Sequence, residues 1–203
     1  MKTLLILRLK KVIVFDLDGT IVELTADWHG LIEFLRKRYS ERYNEECNCK
    51  RVSSYLTKII EKKDEEELRK SFEIIRKYEL ENIKQTIPID EIIYFINNLG
   101  FFGIRKDTKL AILSLNTHKT IIESLKLINL EQKIDYIVGR EDVRKWKPHP
   151  EGLMKIKNFF GVSKEEVVFI GDLDNDLLTG QNMGIDSFLV DDLIKLVKES
   201  KMK

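Results

Sequence analysis

The chain has 203 residues, which suits one domain, or one domain with a smaller insertion. Its 35 Lys and Arg residues balance 34 Asp and Glu residues, so composition makes no case for nucleic acid as the main partner. No apolar run approaches the ~20 residues that a membrane span requires. We therefore expect neither nucleic acid nor a membrane as a partner.

The first apolar segment, residues 4–9, is short and is interrupted by Arg8. It runs almost directly into the next apolar stretch without a small-residue cleavage site, so we do not expect a signal peptide. The segment fits an extra edge strand as well as an upstream extension, and its pattern does not separate the two.

Residues 12–15 are apolar and mostly β-branched, which predicts a strand buried on both faces. The sequence DLDGT follows directly at residues 16–20. Gly19 permits a sharp turn that lifts the chain off the sheet. Two carboxylates therefore meet at the C-terminal end of a parallel strand, where open α/β sheets bind their ligands.

Asp16 and Asp18 would repel each other unless a cation joined them. Mg²⁺ is the usual cation, because it takes oxygen ligands and rarely more than one or two protein carboxylates. A phosphate ester could then approach, with one Asp as nucleophile, forming an aspartyl-phosphate, and the other as general acid and base. The alternative is a surface Asp/Gly turn after a core strand.

The DLDGT sequence resembles the first motif of the haloacid dehalogenase superfamily of phosphohydrolases. This resemblance implies a Ser or Thr after a second strand, a Lys before or within a later helix, and an acidic pair after a fourth strand. It also implies an α/β fold, a three-layer α/β/α core around a Rossmann-like parallel sheet, with an inserted all-helical cap domain.

From about residue 21 to residue 87, apolar residues recur at helical spacing between charge-rich runs. We predict three to four amphipathic helices and no strand in this insertion. Its length and its position after the first motif resemble the helical cap of the family, which closes over the sheet and selects the substrate. We therefore predict a catalytic core of residues 1–20 and 88–203 and a cap domain of residues 21–87.

Five side chains of the insertion are candidates for contact with a substrate, although an ordinary structural role is the stronger interpretation for each. They are Trp28, His29, Arg36, Arg38 and Arg42. Cys47 and Cys49 form a C-x-C pair that lacks the four ligands of a structural zinc site. We interpret them as two reduced thiols of a cytoplasmic protein.

A helix over residues 90–99 precedes a second apolar strand over residues 110–114, which ends in a hydroxyl group. Ser114 matches the second motif of the family and would donate a hydrogen bond to a phosphoryl oxygen. The family more often shows Asn directly after this hydroxyl, whereas here Leu115 intervenes. We therefore assign no contact to Asn116.

A helix over residues 118–127 and a short strand over residues 136–138 precede a basic loop. In that loop the sequence KPHP, which begins at Lys147, resembles the third motif, where a Lys precedes a Pro-stiffened entry to a helix. Its ammonium group would offset the charge of the nucleophile and bind a phosphoryl oxygen. Arg144 and Lys145 lie nearby, and only the spacing to the proline selects Lys147.

A further buried strand over residues 167–170 ends in the sequence GDLDND. Asp172 and Asp176, four residues apart, match the fourth motif. The resemblance implies that Asp172 ligates the metal and that Asp176, one helical turn later, orients a metal-bound water or Lys147.

The resemblance covers residues 12–190 and implies a Mg²⁺-dependent phosphohydrolase, closest to phosphoglycolate-phosphatase-like enzymes, that acts on a small phosphorylated metabolite. Asp16 would attack phosphorus in line, and Asp18 would protonate the leaving alcohol and then activate water. Lys147, Ser114 and the metal would hold the equatorial oxygens. The implied metal ligands are the Asp16 carboxylate, the Asp18 backbone carbonyl and the Asp172 carboxylate.

Asp18 favours phosphoryl transfer over dehalogenation, because dehalogenases of this fold typically lack an acid at that position. Two alternatives remain. A phosphomutase would share every motif and return the phosphoryl group to a sugar. A non-catalytic phospho-ligand-binding protein would bind its ligand with Mg²⁺ and would not turn it over.

Overall fold

Five parallel strands form the central sheet of the computed structural model, which describes residues 2–201. In chain order the strands are β1 (Val12–Phe15), β2 (Val22–Glu23), β3 (Ile87–Pro88), β4 (Lys109–Leu113), β5 (Tyr136–Val138), β6 (Val167–Gly171) and β7 (Asp186–Leu189). The sheet has the order β5-β4-β1-β6-β7, and Val14 lies between Ala111 and Phe169. The strand that precedes the acidic motif is therefore the central one.

Helices cover both faces of this sheet. They are α1 (Lys2–Arg8), α2 (Trp28–Tyr43), α3 (Val52–Glu61), α4 (Glu65–Glu81), α5 (Asp90–Asn97), α6 (His118–Leu127), α7 (Glu151–Phe160), α8 (Asp174–Met183) and α9 (Val190–Lys201). Val12 and Val14 pack in one apolar cluster, while Ile13 and Phe15 pack in the other. Successive side chains of a strand point to opposite faces, so both faces of β1 are buried. The predicted α/β/α fold is confirmed.

The insertion after β1 consists mainly of α2, α3 and α4. Asp27 and Asp64 begin two of these helices, since their side chains accept hydrogen bonds from Gly30 N and Glu67 N, both at 2.9 Å. The apolar faces of the three helices join the same cluster as Val12 and Val14. The core of the insertion is thus continuous with one face of the sheet.

The expectation that the insertion contains no strand is wrong at its two ends. Val22 and Glu23 pair antiparallel with Pro88 and Ile87 in a two-stranded ribbon. Strands of two residues are too short to show an alternating pattern, so the sequence carries no signal for them. The ribbon holds the outgoing and returning chains of the insertion side by side.

The N-terminal segment is a helix, so of the two alternatives that its pattern left open, an edge strand or an upstream extension, the edge strand is wrong. Leu7 of α1 is buried in the apolar cluster that contains Ile13 and Phe15. Arg8 Nε donates to Phe102 O at 2.8 Å. The segment has too few residues for the spacing of its apolar positions to distinguish a helix from a strand. No helix within residues 2–201 combines the length and apolarity that crossing a bilayer requires.

Candidate active site

Asp16 directly follows β1, and 6% of its surface is exposed. Its N–H donates to Ile170 O at 2.8 Å, which extends the pairing with β6 by one residue. Its Oδ1 accepts a hydrogen bond from Leu17 N at 2.7 Å. These two bonds fix the carboxylate at the carboxyl edge of the sheet.

Asp18 lines the same cleft as Asp16, and Gly19 forms the turn that follows it. The chain turns sharply at Gly19, whose φ is +77°, and Gly19 N donates to Val22 O at 2.7 Å. A Cβ atom at this position would overlap the Asp172 carboxylate, and a positive φ strains any residue with a side chain, so both space and backbone conformation favour glycine. Beyond the turn, Leu24 N donates to Asp18 Oδ1 at 2.8 Å.

Lys147 bridges two carboxylates within this cleft. Its Nζ lies 2.7 Å from Asp16 Oδ2 and 2.6 Å from Asp176 Oδ1, and all three side chains are buried. Burial alone would lower the pKa of Lys147, but the two carboxylates raise it on balance. The ammonium form therefore persists and offsets the negative charge of the acids.

Asp172 and Asp176 complete the acidic group after β6. Oxygens of Asp16, Asp172 and Asp176 all lie within 4.8 Å of one another. Asp176 is engaged by Lys147 and by Leu173 N, which donates to its Oδ2 at 3.1 Å. By contrast, no group among residues 2–201 donates a hydrogen bond to the buried Asp172 Oδ1. An unpaired carboxylate oxygen beside other acids fits a hard divalent cation such as Mg²⁺.

Ser114 lies at the end of β4, next to β1 in the sheet. Its hydroxyl is buried and donates to Asn116 Oδ1 at 2.8 Å. Asn116, to which the sequence interpretation assigned no contact, lines the same cleft. The extra residue Leu115 therefore does not remove Asn116 from the site.

All six residues predicted from the sequence line one cleft of about 280 Å³. They are Asp16, Asp18, Ser114, Lys147, Asp172 and Asp176. Of the five candidates in the described insertion, Trp28 alone lines this cleft. Arg36 donates to Cys49 O, Arg38 pairs with Glu67, Arg42 pairs with Asp64, and His29 lies beside Glu33. The structure thus brings the six side chains together, while their individual roles remain predictions.

Two charged residues of the site escaped the sequence interpretation. Arg140 follows β5, lines the cleft and has 3% of its surface exposed. Glu79 of α4 has 1% exposed, and its Oε1 lies 3.7 Å from Arg140 Nη2. The loop of Arg140 reads as generally basic, but the same rule that selected Asp16, a polar residue just after a buried strand, would have selected Arg140. The only local feature that suggests burial of Glu79 is its position one helical turn after the apolar residue Ile75.

Glu79 joins the insertion to the core. Its carboxylate accepts hydrogen bonds from Thr117 N at 2.9 Å, Thr117 Oγ1 at 2.8 Å, Thr120 Oγ1 at 2.7 Å and Asn116 Nδ2 at 3.2 Å. Thr117 precedes the first residue of α6, so a negative charge lies at the N-terminus of that helix, where it is favourable. A side chain from α4 therefore completes the hydrogen bonding of a core helix.

Burial raises the pKa of Asp18 to about 6. A carboxyl group with a raised folded-state pKa contributes stability below its unfolded pKa and loses it as pH rises through the folded value. We expect Asp18→Asn to raise the melting temperature of the metal-free protein more at about pH 7.5 than at about pH 4. Asn can still accept the hydrogen bond from Leu24 N.

Thermal unfolding in EDTA at the two pH values measures this difference. Asp107→Asn is the matched control, because Asp107 is exposed and its pairing with Arg105 lowers its pKa. That variant should show no gain at the higher pH. An equal effect of Asp18→Asn at both pH values would contradict the prediction.

The parallel sheet with its acidic cleft at the carboxyl edge defines the class of protein, an α/β enzyme with its reactive groups at the ends of the central strands. The family model for haloacid dehalogenase-like hydrolases matches residues 13–190, so the chain belongs to that family.

Two curated relatives and one solved structure are similar to the chain over most of its length. The phosphoglycolate phosphatase of Aquifex aeolicus is 30% identical over 182 residues, which cover 88% of this chain and 84% of the relative. The pyrophosphatase PpaX of Halalkalibacterium halodurans is 29% identical over 184 residues, with coverages of 88% and 82%. A hydrolase from Pseudomonas syringae shares the fold with a TM-score of 0.63 at 19% identity, over 88% of this chain and 83% of that one. The chain is accordingly a phosphatase of this family.

Proposed function

We propose that the protein is a Mg²⁺-dependent phosphohydrolase that acts on a small phosphorylated metabolite through an aspartyl-phosphate on Asp16. The ion pairs of Lys147 carry this proposal, because its Nζ lies 2.7 Å from Asp16 and 2.6 Å from Asp176. A buried ammonium beside the nucleophile is placed to bind an incoming phosphoryl oxygen.

The proposed Mg²⁺ ligands are the Asp16 carboxylate, the Asp18 backbone carbonyl and the Asp172 carboxylate. The unpaired Asp172 Oδ1 supports this set, whereas the oxygens of Asp176 already accept from Lys147 and Leu173. When bound, Mg²⁺ would offset the charge of the acids and polarise a phosphoryl oxygen. Asp176 then acts by holding Lys147 in place.

In the first step the Asp16 carboxylate attacks phosphorus, and the bond to the leaving oxygen breaks as Asp18 donates a proton to that oxygen. In the second step the Asp18 carboxylate takes a proton from water, which attacks phosphorus and releases inorganic phosphate and free Asp16. Burial raises the pKa of Asp18 to about 6, which suits a group that must both donate and accept a proton near neutral pH.

Lys147 and Ser114 bind the equatorial phosphoryl oxygens in this mechanism. Lys147 provides a point charge that is already held between two carboxylates. The Ser114 hydroxyl donates to Asn116 Oδ1 and can rotate to donate to a phosphoryl oxygen instead. Both groups thereby act on charge that develops during transfer.

We propose that residues 21–87 form a cap domain over a catalytic core of residues 1–20 and 88–203. Trp28, at the start of α2, lines the cleft together with the acids and supports this division. An aromatic side chain beside the acids would help to shield the reacting groups from water.

Phosphate release from a panel of small phosphate esters and pyrophosphate, with Mg²⁺ and with EDTA, tests the proposed function. We expect release that requires Mg²⁺ and stops in EDTA. A rearranged sugar phosphate without free phosphate would indicate a phosphomutase instead. Mg²⁺-dependent binding of an ester without turnover would indicate a non-catalytic binding protein.

A further inference from the structure

Arg140 is the second residue after β5, as Ser114 is the first residue after β4. The two strands are neighbours in the sheet, so both residues lie along the same carboxyl edge. Arg140 N donates to Asn116 O at 2.9 Å, and Arg140 O accepts from Trp146 Nε1 at 3.0 Å. These two hydrogen bonds fix the backbone of Arg140.

The Arg140 guanidinium is buried with most of its donors unused. Its buried Nε and Nη1 make no hydrogen bond to any group among residues 2–201. Its Nη2 lies 3.7 Å from Glu79 Oε1, which is too long for a hydrogen bond. Burying a charged donor without an acceptor raises the free energy of the folded protein. A ligand that accepts hydrogen bonds from Arg140 would therefore be bound favourably.

Glu79 balances the charge of Arg140 without satisfying its donors. The carboxylate already accepts four hydrogen bonds, from Asn116, Thr117 and Thr120. Three of these bonds end on Oε2, whereas Oε1, the oxygen nearer to Arg140, accepts only from Asn116 Nδ2. Glu79 therefore has about one lone pair left for a guanidinium that carries five N–H donors. Arg140 lines the same cleft as Ser114 and Asn116.

We propose that Arg140 is a specificity-determining residue that binds a second anionic group, a carboxylate or a phosphoryl group, on the leaving group of the substrate. This inference rests on the proposed function, in which Lys147 and Asp16 take the scissile phosphoryl group. A planar guanidinium suits bidentate binding of such oxyanions. Two strand spacings of about 4.8 Å separate β1 from β5, so the leaving group needs only a few atoms.

Arg140→Gln tests the inference with a matched pair of substrates, 2-phosphoglycolate and 2-hydroxyethyl phosphate, which differ in a carboxylate against a hydroxymethyl group. We expect kcat/KM to fall by about 10- to 100-fold for the first and by less than about threefold for the second, since a charge-assisted contact is lost only in the first. Arg140→Lys keeps the positive charge but lacks the planar group that binds an oxyanion through two hydrogen bonds. It should therefore show a smaller fall in kcat/KM for 2-phosphoglycolate.

Arg144→Gln is the matched control, because Arg144 lies in the same loop, is exposed and pairs with exposed Glu65. It should change the turnover of neither substrate. Thermal unfolding of each variant establishes that the fold is retained, and Arg140→Lys carries the test if Arg140→Gln does not fold. Equal losses for both substrates would assign Arg140 a merely structural role as the partner of Glu79, and would overturn the inference.

A binding measurement separates this inference from the proposed function. Titration calorimetry in Mg²⁺ measures the affinity of 2-phosphoglycolate and of 2-hydroxyethyl phosphate, the two probes. The proteins compared are the Asp16→Asn variant and the double variant Asp16→Asn/Arg140→Gln. A loss of affinity in the double variant that is confined to 2-phosphoglycolate supports the role of Arg140, even if the wild-type protein releases no phosphate and the proposed function fails. A preference between the probes that does not depend on Arg140 overturns it.

Discussion

Replacing Asp16 by Asn should lower kcat for Mg²⁺-dependent phosphate release by at least about 10⁴-fold, as expected for loss of a covalent nucleophile. The amide is a poor nucleophile and cannot form the acyl phosphate. The change is nearly isosteric, and the amide oxygen of the variant would still accept from Leu17 N, which now donates to Asp16 Oδ1 at 2.7 Å. Lys147 would keep its partner Asp176.

Steady-state phosphate release with Mg²⁺ at saturating substrate measures this effect. Asp174→Asn is a matched control, because Asp174 is an exposed acid between Asp172 and Asp176 in the same segment. That variant should retain activity within about threefold. Turnover by Asp16→Asn at the wild-type rate would place the nucleophile elsewhere and would reject the proposed mechanism.

Lys147→Met should lower both activity and stability. The variant lacks a preorganised donor for the phosphoryl group, for which we expect about a 10²- to 10³-fold fall in kcat/KM. It also leaves the buried carboxylates of Asp16 and Asp176 without their shared cation. Breaking a buried ion pair in this way costs about 3–5 kcal/mol of unfolding free energy.

The stability loss should be larger at about pH 8 than at about pH 5, because protonation of one carboxyl group at lower pH relieves the repulsion. Urea unfolding of the metal-free protein at both pH values measures it. Lys145→Met, which changes an exposed lysine in the same loop, should leave stability and activity nearly unchanged. If Lys147→Met were as stable as the wild-type protein at both pH values, the bridging role of Lys147 would be wrong.

The central strands and the polar residues that end them were predictable because their signal is local. An apolar run that stops at an acid or a hydroxyl marks both a buried strand and the residue at its carboxyl end. This signal located Asp16, Ser114 and Asp172, and the structure brings all three into one cleft. Lys147 needed the family resemblance as well, since its loop contains other basic residues.

The parts that could not be predicted depend on contacts between distant segments. The strand-end rule points to Arg140 as a candidate, but Arg140 and Glu79 each lie in a charge-rich stretch, and nothing local shows that both are buried. Their burial follows from the packing of α4 against the core near α6, 38 residues away at the Glu79–Thr117 bond. The two-residue strands β2 and β3 are likewise defined only by their pairing.

The hydrogen bonds of Glu79 also hold α4 against the core. Moving α4 away from the core would break four hydrogen bonds to a buried carboxylate, each worth about 1.5–3 kcal/mol when one partner is charged. Trp28, which also lines the cleft, belongs to α2, and α2 packs on α4 through the ring contact of Phe34 with Tyr78 and the ion pair of Arg38 with Glu67. We therefore expect α4 to stay against the core during substrate entry and product exit, and the helices packed on it to be restrained with it.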